Sequence, residues 1–156
     1  MKNLFEKFLE LIDILEKKEV NYIIIGGMAI NLHGFARNTK DIDIFLEPTK
    51  ENIVKFRNAL KQIFNDKEID EITYEELNKY AVIRYGTEEG FYLDIITGIG
   101  ETFKFQDLKF ITKTIEGVKI KFADLTTLYK LKKHTYREID QLDLKFIEAK
   151  LNKNAD

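Results

Sequence analysis

The sequence predicts an α+β domain in which a mixed or antiparallel sheet is flanked by helices and followed by a C-terminal pair of helices. Its patterns run in the order helix, strand, helix, strand, helix, four strands and two helices, which is not the regular alternation of a doubly wound fold. A chain of 156 residues favours one domain, with a core over about residues 20–122 and the helical pair over about 124–152.

The first part of the chain alternates helix and strand. Apolar residues recur at helical spacing over residues 3–18, and a short apolar strand covers 21–25. A short helix from Gly27 to His33 follows, with Gly34 placed to end it, and then a strand over Asp41–Leu46. Two glycines therefore lie at a strand-to-helix turn, shortly before a strand that begins with carboxylates.

The middle of the chain is predicted to hold one helix and two hairpins. Thr49 can cap a helix over about residues 50–64, whereas the acidic segment 65–78 has no clear pattern. The hairpins pair residues 80–85 with 91–96 and residues 110–115 with 118–122.

Two helices are predicted at the C-terminal end. Asp124 can cap the first, which extends to about His134. Residues Thr135 and Glu138 match a capping box, in which each side chain binds a free amide of the other, and a helix to about Asn152 follows.

Composition excludes several kinds of site. The chain has no cysteine and only two histidines, which rules out disulfides and makes a zinc site of His and Cys ligands unexpected. No apolar run approaches the ~20 residues that span a bilayer, and the first residues lack the apolar core of a signal peptide. We therefore expect a cytoplasmic protein that does not enter a membrane.

Three aspartates are candidate metal ligands. Asp41 and Asp43 are two apart on a strand, so their side chains share one face about 6–7 Å apart, while Ile42 points to the core. Asp94 is a lone acid within an apolar strand, where a carboxylate needs a cation or hydrogen-bond donors. Carboxylate oxygens suit Mg²⁺, and two ions about 3.5–4 Å apart can stabilise the attacking and leaving oxygens of an in-line displacement. The alternative is a polar face on an edge strand.

Gly26 and Gly27 are candidate phosphate-binding residues. Glycine lets the backbone approach a phosphate closely, and a helix N-terminus offers free amides. The segment is neither a P-loop nor a dinucleotide fingerprint, because no Gly-Lys-Ser/Thr and no Gly-x-Gly-x-x-Gly pattern is present. The alternative is a tight strand-to-helix turn with no ligand.

The glycine pair followed by Asp41-Ile42-Asp43 resembles the DNA polymerase β-like nucleotidyltransferase superfamily. The fuller run, with His33-Gly34 and Arg37-Asn38-Thr39-Lys40 between them, is most similar to small AbiEii-type nucleotidyltransferases, many of which belong to toxin–antitoxin modules. This resemblance implies a Mg²⁺-dependent enzyme, in which Mn²⁺ is an alternative ion, with Asp41, Asp43 and Asp94 as metal ligands and catalytic residues. Asp94 is also the candidate base for the attacking hydroxyl.

Other parts of the chain extend this resemblance. Leu131-Lys132, Arg137, Asp140 and Asp143-Leu144 resemble the family's C-terminal helical motif. It implies that Lys132 contacts the triphosphate and that Asp140 orients it or a nearby base, with a surface ion pair as the simpler interpretation of Asp143. Arg37 and Lys40, just before the acidic strand, are candidates for binding phosphate or substrate.

The predicted function is transfer of a nucleoside monophosphate from a triphosphate to an acceptor hydroxyl, with release of pyrophosphate. The resemblance implies an RNA end, such as that of tRNA, or a partner protein as acceptor, with a cognate toxin or antitoxin as partner. Three alternatives stay open: an aminoglycoside- or lincosamide-modifying enzyme, a non-catalytic nucleotide-binding antitoxin-like protein, and an RNA-binding module that uses the lysines of residues 119–153.

Overall fold

The computed structural model describes residues 2–36, 38–99, 103–132 and 138–155, without the side chains of 99, 138–142, 154 and 155. The helices are α1 (Leu4–Lys17), α2 (Gly26–Leu32), α3 (Lys50–Ile63), α4 (Tyr74–Lys79), α5 (Leu125–Lys132) and α6 (Glu138–Ala155). The strands are β1 (Tyr22–Ile25), β2 (Asp41–Leu46), β3 (Ile83–Gly86), β4 (Tyr92–Ile96), β5 (Gly98–Ile99), β6 (Phe103–Lys104), β7 (Phe110–Ile115) and β8 (Val118–Ala123).

A six-stranded mixed sheet forms the centre of the fold, and this confirms the predicted fold class. Its strand order is β3-β4-β2-β1-β8-β7, with parallel pairing of β2 with β4 and of β1 with β8. The pairs β1–β2, β3–β4 and β7–β8 are antiparallel. Strands β5 and β6 form a separate two-stranded sheet.

Two of the predicted helix caps are present. The side chain of Thr49 accepts a hydrogen bond from the backbone N–H of Asn52 at the start of α3, and Asp124 accepts one from Thr127 at the start of α5. The predicted capping box at Thr135 lies outside the described residues. Helix α6 itself confirms the last predicted helix and extends to Ala155.

One prediction in the middle of the chain needs correction, and two segments there had no prediction. The strand predicted from Tyr80 begins only at Ile83, because the N–H of Tyr80 still bonds the carbonyl of Glu76 and thereby ends α4. The acidic segment with no clear pattern forms a 3-10 helix over Lys67–Glu71 and then α4. The small sheet of β5 and β6 has no sequence counterpart, since two-residue strands are too short to show alternation.

The apolar core lies between the sheet and its helices. It includes Phe8, Ile12 and Leu15 of α1, Phe56 of α3 and Phe122 of β8, each at most 1% exposed. Strand β1 is buried along its full length because it has a hydrogen-bonded neighbour on each side. In the part of the chain that the structure describes, every helix is too short or too polar to cross a membrane.

Candidate active site

Strand β2 presents two carboxylates on one face of the central sheet. Side chains alternate along a strand, so Asp41 and Asp43 share a face while Ile42 and Ile44 point to the other. Both isoleucines are fully buried. The burial of this opposite face fixes the direction in which the carboxylates point, because a register slip of one residue would expose the isoleucines.

Asp94 joins the two aspartates because β4 pairs in parallel with β2. The register sets Asp43 beside Asp94 and Asp41 beside Tyr92. Directly paired residues on neighbouring strands point to the same face, so all three carboxylates lie on one side of the sheet. The side chain of Asp94 is 14% exposed and that of Asp41 36% exposed. The structure thus brings together the three aspartates that the sequence singles out.

The surroundings of Asp43 disfavour the ionised form of its carboxyl. Burial raises the pKa of its carboxyl to about 7, and the negative charge of Asp94, a hydrogen bond with Asp94 and the charge of Asp41 act in the same direction. The positive charge of Lys132 opposes this rise in the Asp43 pKa, which puts Lys132 within electrostatic reach of the carboxylates. Neighbouring like charges raise carboxyl pKa values in this way when no cation separates them.

Arg84 is a site residue that the sequence analysis missed. It lies opposite Asp94 in the β3–β4 hairpin, and its Nε and Nη2 donate to the two carboxylate oxygens at 2.8 and 3.0 Å. Nη2 also donates to Oδ2 of Asp41 at 3.1 Å, and the guanidinium stacks 4.9 Å from the ring centroid of Tyr92. The pKa of Arg84 is raised, mainly by the hydrogen bonds and charge of Asp94.

The predicted hairpin gives only part of this position. With its turn between Gly86 and Gly90, counting back along both arms sets Arg84 opposite Tyr92, whereas the observed register sets Arg84 opposite Asp94 and Gly86 opposite Tyr92. A lone acid in an apolar strand needs a donor, and the directly opposite position is the first place to look for one.

Gly26 is packed directly against Asp43. The residue has a φ of +70°, and a Cβ placed on it would lie 1.9 Å from Oδ2 of Asp43 and 2.8 Å from its Cγ. Only glycine fits here, for its backbone angle and for its lack of a side chain. Ile25, the preceding residue, pairs with Asp43 across β1 and β2, so the turn into α2 meets the acidic face by register.

Lys132 and Asp143 form a buried ion pair between α5 and α6. The Lys132 Nζ lies 3.1 Å from Oδ2 of Asp143, and the two side chains are 9% and 1% exposed. The expectation of a surface pair at Asp143 is therefore wrong: the pair exists, but the packing of α5 against α6 covers it. Lys132 is thus held in place beside the acidic face by a carboxylate that has no access to solvent.

Of the remaining predicted site residues, the structure describes some fully and others in part or not at all. Lys40 is exposed and lines a cavity of about 260 Å³ beside Tyr92, together with Lys7 and Thr39. Arg37 lies outside the described residues, and of Asp140 only the backbone, within α6, is described. His33 ends α2 and its Nε2 meets the carbonyl oxygen of Ala123 at 2.9 Å, which fits an anchoring residue.

The donor chemistry of the acidic face fits a divalent cation. Three carboxylates supply hard oxygen ligands, and the raised pKa of Asp43 reports charge that a cation would neutralise. Within the described ranges, no three acidic or histidine side chains converge closely enough to coordinate one metal ion. The cation that contacts Asp41 and Asp94 in this conformation is the Arg84 guanidinium.

Comparison with known families identifies one match over most of the core. The family model for "Nucleotidyl transferase AbiEii toxin, Type IV TA system" matches residues 11–122, which contain the glycine turn and all three carboxylates. No curated protein is significantly similar in sequence.

Solved structures with the same fold are nucleotidyltransferases. The lincosamide antibiotic adenylyltransferase LnuA, bound to lincomycin, aligns with a TM-score of 0.62 at 21% identity and covers 92% of this chain and 95% of its own. ANT(2")-Ia in complex with adenylyl-2"-tobramycin aligns with a TM-score of 0.59 at 12% identity, over 94% of this chain and 88% of its own. A nucleotidyltransferase-like protein of Thermotoga maritima gives 0.56 at 15% identity, over 96% and 92%.

Proposed function

This chain belongs to the AbiEii nucleotidyl transferase family, and we propose that it transfers a nucleoside monophosphate from a triphosphate to an acceptor hydroxyl in a magnesium-dependent reaction. The observation that carries the proposal is the alignment of Asp41, Asp43 and Asp94 on one sheet face against the glycine turn. We place the reaction in the cytoplasm, where triphosphates are available.

The three carboxylates would hold magnesium, two ions in the full complex, with manganese as a substitute. Bound magnesium supplies charge neutralisation for the phosphates and for the leaving pyrophosphate. The chain itself supplies the positions of the carboxylates. Ile42 and Ile44, buried on the opposite face of the sheet, fix the register of β2 and therefore the direction of Asp41 and Asp43. Catalysis of this kind consists mainly of positioning and charge stabilisation.

The reaction is an in-line substitution at the α-phosphorus. The acceptor oxygen forms a bond to the α-phosphorus, the bond between that phosphorus and the α,β-bridging oxygen breaks, and pyrophosphate leaves. The proton of the acceptor hydroxyl goes to a carboxylate oxygen, for which Asp94 is the candidate.

Basic and backbone groups would bind the triphosphate. Gly26 brings backbone close to Asp43, Gly27 follows it in the first turn of α2, and Lys132 is a buried ammonium within electrostatic reach of Asp43, so a phosphate there would meet both backbone and ammonium. Lys40 and Arg37, just before β2, are proposed to contact phosphate or acceptor, and Asp140 to orient the site from α6. Each of these roles rests on the family motif together with the position of its element.

The acceptor is proposed to be an RNA end, such as that of tRNA, or a hydroxyl of a partner protein. This follows from the family, whose description names a toxin of a type IV toxin–antitoxin system, and it implies a cognate antitoxin. The competing non-catalytic interpretation is weaker, because a protein that only binds nucleotide has no need of three carboxylates on one face, where burial and then the charge of Asp94 raise the pKa of Asp43.

An antibiotic acceptor is a second candidate with its own observation. The small size of this chain would argue against an antibiotic substrate if antibiotic-modifying enzymes needed a second domain to bind it. LnuA aligns over 95% of its own length with 92% of this chain, so a lincosamide-modifying enzyme of similar size exists on this fold. Size therefore does not separate the two acceptors, and the experiment must include both.

The test is transfer of label from each α-³²P-labelled triphosphate, in magnesium, to total RNA, a protein extract, lincomycin or tobramycin. We expect label on RNA or protein and a loss of at least about 100-fold in Asp43→Asn. The control is Asp70→Asn, an exposed aspartate paired with Lys61 on another part of the surface. Label on an antibiotic would select the second candidate. If the chain binds no triphosphate in magnesium and Asp43→Asn changes nothing, the enzymatic proposal is wrong.

A further inference from the structure

Arg84 is a cation at the acidic face to which the proposed reaction assigns no role. Its guanidinium binds both oxygens of Asp94, at 2.8 and 3.0 Å, and one oxygen of Asp41, at 3.1 Å. The contact spans two strands that come from distant parts of the chain. It is set by the fold, because the hairpin register puts Arg84 directly opposite Asp94.

The guanidinium uses the same atoms that a metal would need. A two-pronged arginine contact occupies the sides of both carboxylate oxygens that face the guanidinium. Asp41 and Asp94 are two of the three proposed ligands, and a divalent ion between them would lie next to a fixed positive charge. Unit charges a few ångströms apart interact strongly at a partly screened protein surface. Arginine and metal therefore compete for this face.

The surroundings of Arg84 allow its guanidinium to move. The side chain is 54% exposed, so leaving Asp41 breaks one hydrogen bond without opening the core. The ring of Tyr92, itself 43% exposed, lies 4.9 Å from the guanidinium carbon and offers a stacking surface beside the carboxylates. The guanidinium already contacts Tyr92 in this conformation, so a shift away from Asp41 need not break that contact.

We propose that Arg84 is the internal counter-cation of the metal-free active site, which neutralises Asp41 and Asp94 and is displaced from Asp41 when a divalent cation binds. The inference rests on the metal-dependent function proposed above. It explains how a folded chain tolerates three carboxylates on one face before metal arrives. It also makes Arg84 a positioning residue that sets the metal concentration at which the site fills.

Binding of Mn²⁺ alone to the full chain tests this without any measurement of catalysis. Free Mn²⁺ is counted by electron paramagnetic resonance during titration of wild type, Arg84→Gln and Arg84→Lys. We expect Arg84→Gln to bind Mn²⁺ at least fivefold more tightly than wild type, since the competing charge is gone. Arg84→Lys keeps the charge and should stay within twofold of wild type.

The matched control is Lys61→Gln, which removes a positive charge of α3 that pairs with Asp70 of the 3-10 helix. Its Mn²⁺ affinity should equal that of wild type. If Arg84→Gln is less stable, the increase in unfolding midpoint caused by Mn²⁺ is compared within each protein, and it should be larger for Arg84→Gln.

Three results overturn the proposal, and they separate it from the proposed function. Unchanged Mn²⁺ affinity in Arg84→Gln, with binding by wild type, removes the role of Arg84 and leaves metal dependence intact. Weaker binding in Arg84→Gln means that arginine orients the ligands rather than competing with metal. Absence of Mn²⁺ binding by wild type and by Arg84→Gln overturns both this inference and the metal-dependent reaction.

Discussion

Gly26 and Asp43 touch so closely that a single added carbon cannot be placed between them: a Cβ on Gly26 would lie 1.9 Å from the Asp43 Oδ2. The turn that leads into α2 and the strand that carries the carboxylates therefore form one rigid contact. Gly26 therefore limits the directions in which the Asp43 side chain can point.

Gly26→Ala should destabilise the protein by more than backbone strain alone. A left-handed residue other than glycine costs about 1–2 kcal/mol, and the clash with Asp43 adds to that. Gly117→Ala is the matched control, because Gly117 has a φ of +80° with no atom within 4 Å of its would-be Cβ. Urea unfolding should show a loss at least about 1 kcal/mol larger for Gly26→Ala than for Gly117→Ala. Equal losses would mean that the Asp43 carboxylate moves aside freely.

Asp43→Asn should stabilise the metal-free protein at alkaline pH. The pKa of Asp43 is raised in the folded state from 3.8 to about 7, so the folded protein binds this proton more tightly than the unfolded chain. The associated stability is present below pH 3.8 and is lost as pH rises through about 7. With EDTA present, the free energy of unfolding of Asp43→Asn relative to wild type should rise by at least about 1 kcal/mol between pH 5 and pH 8.

Two conditions sharpen that measurement. For Asp70→Asn, the difference in free energy of unfolding from wild type should not change over the same pH range. Lys61 lowers the pKa of Asp70, so this carboxyl is ionised in both the folded and the unfolded protein at these pH values. Excess magnesium should reduce the advantage of Asp43→Asn at pH 8, because a cation neutralises the wild-type carboxylates. A constant difference between pH 5 and pH 8 would contradict the raised pKa.

Lys132→Met should destabilise the protein by about 3–5 kcal/mol, the usual cost of breaking a buried ion pair by removal of one member. Asp143, 1% exposed, would lose its contact with the Lys132 ammonium. The double variant Lys132→Met/Asp143→Leu removes both charges and should recover most of the loss in a chemical denaturation experiment. Triphosphate binding should stay weak in the double variant, which separates the structural role of the pair from the proposed role of Lys132. Triphosphate binding by the double variant that equals wild type would show that the Lys132 ammonium does not contact the triphosphate.

Asn52→Ala should lower the free energy of unfolding by about 3 kcal/mol, since a buried side chain loses three hydrogen bonds to the backbone. The Asn52 amide, in a residue 3% exposed, accepts from the N–H of Asn21 at 2.7 Å and donates to the carbonyls of Asn21 and Glu47 at 2.9 and 3.0 Å. It ties α3 to the chain just before β1 and just after β2. Asn58→Ala, exposed on the same helix, should change the unfolding midpoint little. A similar small effect for both variants would contradict this account.

Local patterns predicted the elements that carry the carboxylates. The alternation of Asp41-Ile42-Asp43-Ile44 gave strand β2 with its bounds, and the lone acid in an apolar run gave Asp94. Both patterns can be recognised within a few consecutive residues: a strand with one buried face alternates, and a single acid stands out in an apolar run. The family motif added Lys132, and the fold then set it near Asp43.

What sequence could not supply were relations between distant segments. The parallel pairing of β2 with β4 is a non-local contact, and only that pairing sets Asp94 beside Asp43. Burial of Asp143 depends on how α5 packs against α6, which a charged and weakly amphipathic helix does not reveal. Arg84 required the register of a hairpin whose first strand begins later than its apolar residues suggest.

The parallel pairings also dictate when the enzyme becomes complete during synthesis. A nascent chain that has left the ribosome up to β2 already carries Asp41 and Asp43, but β4 must emerge before Asp94 can join them, and β1 waits for β8. Pairing over such separations is slow relative to local contacts and closes late. The complete acidic face therefore forms only after β4 has been synthesised, so a product that ends before β4 carries Asp41 and Asp43 without Asp94.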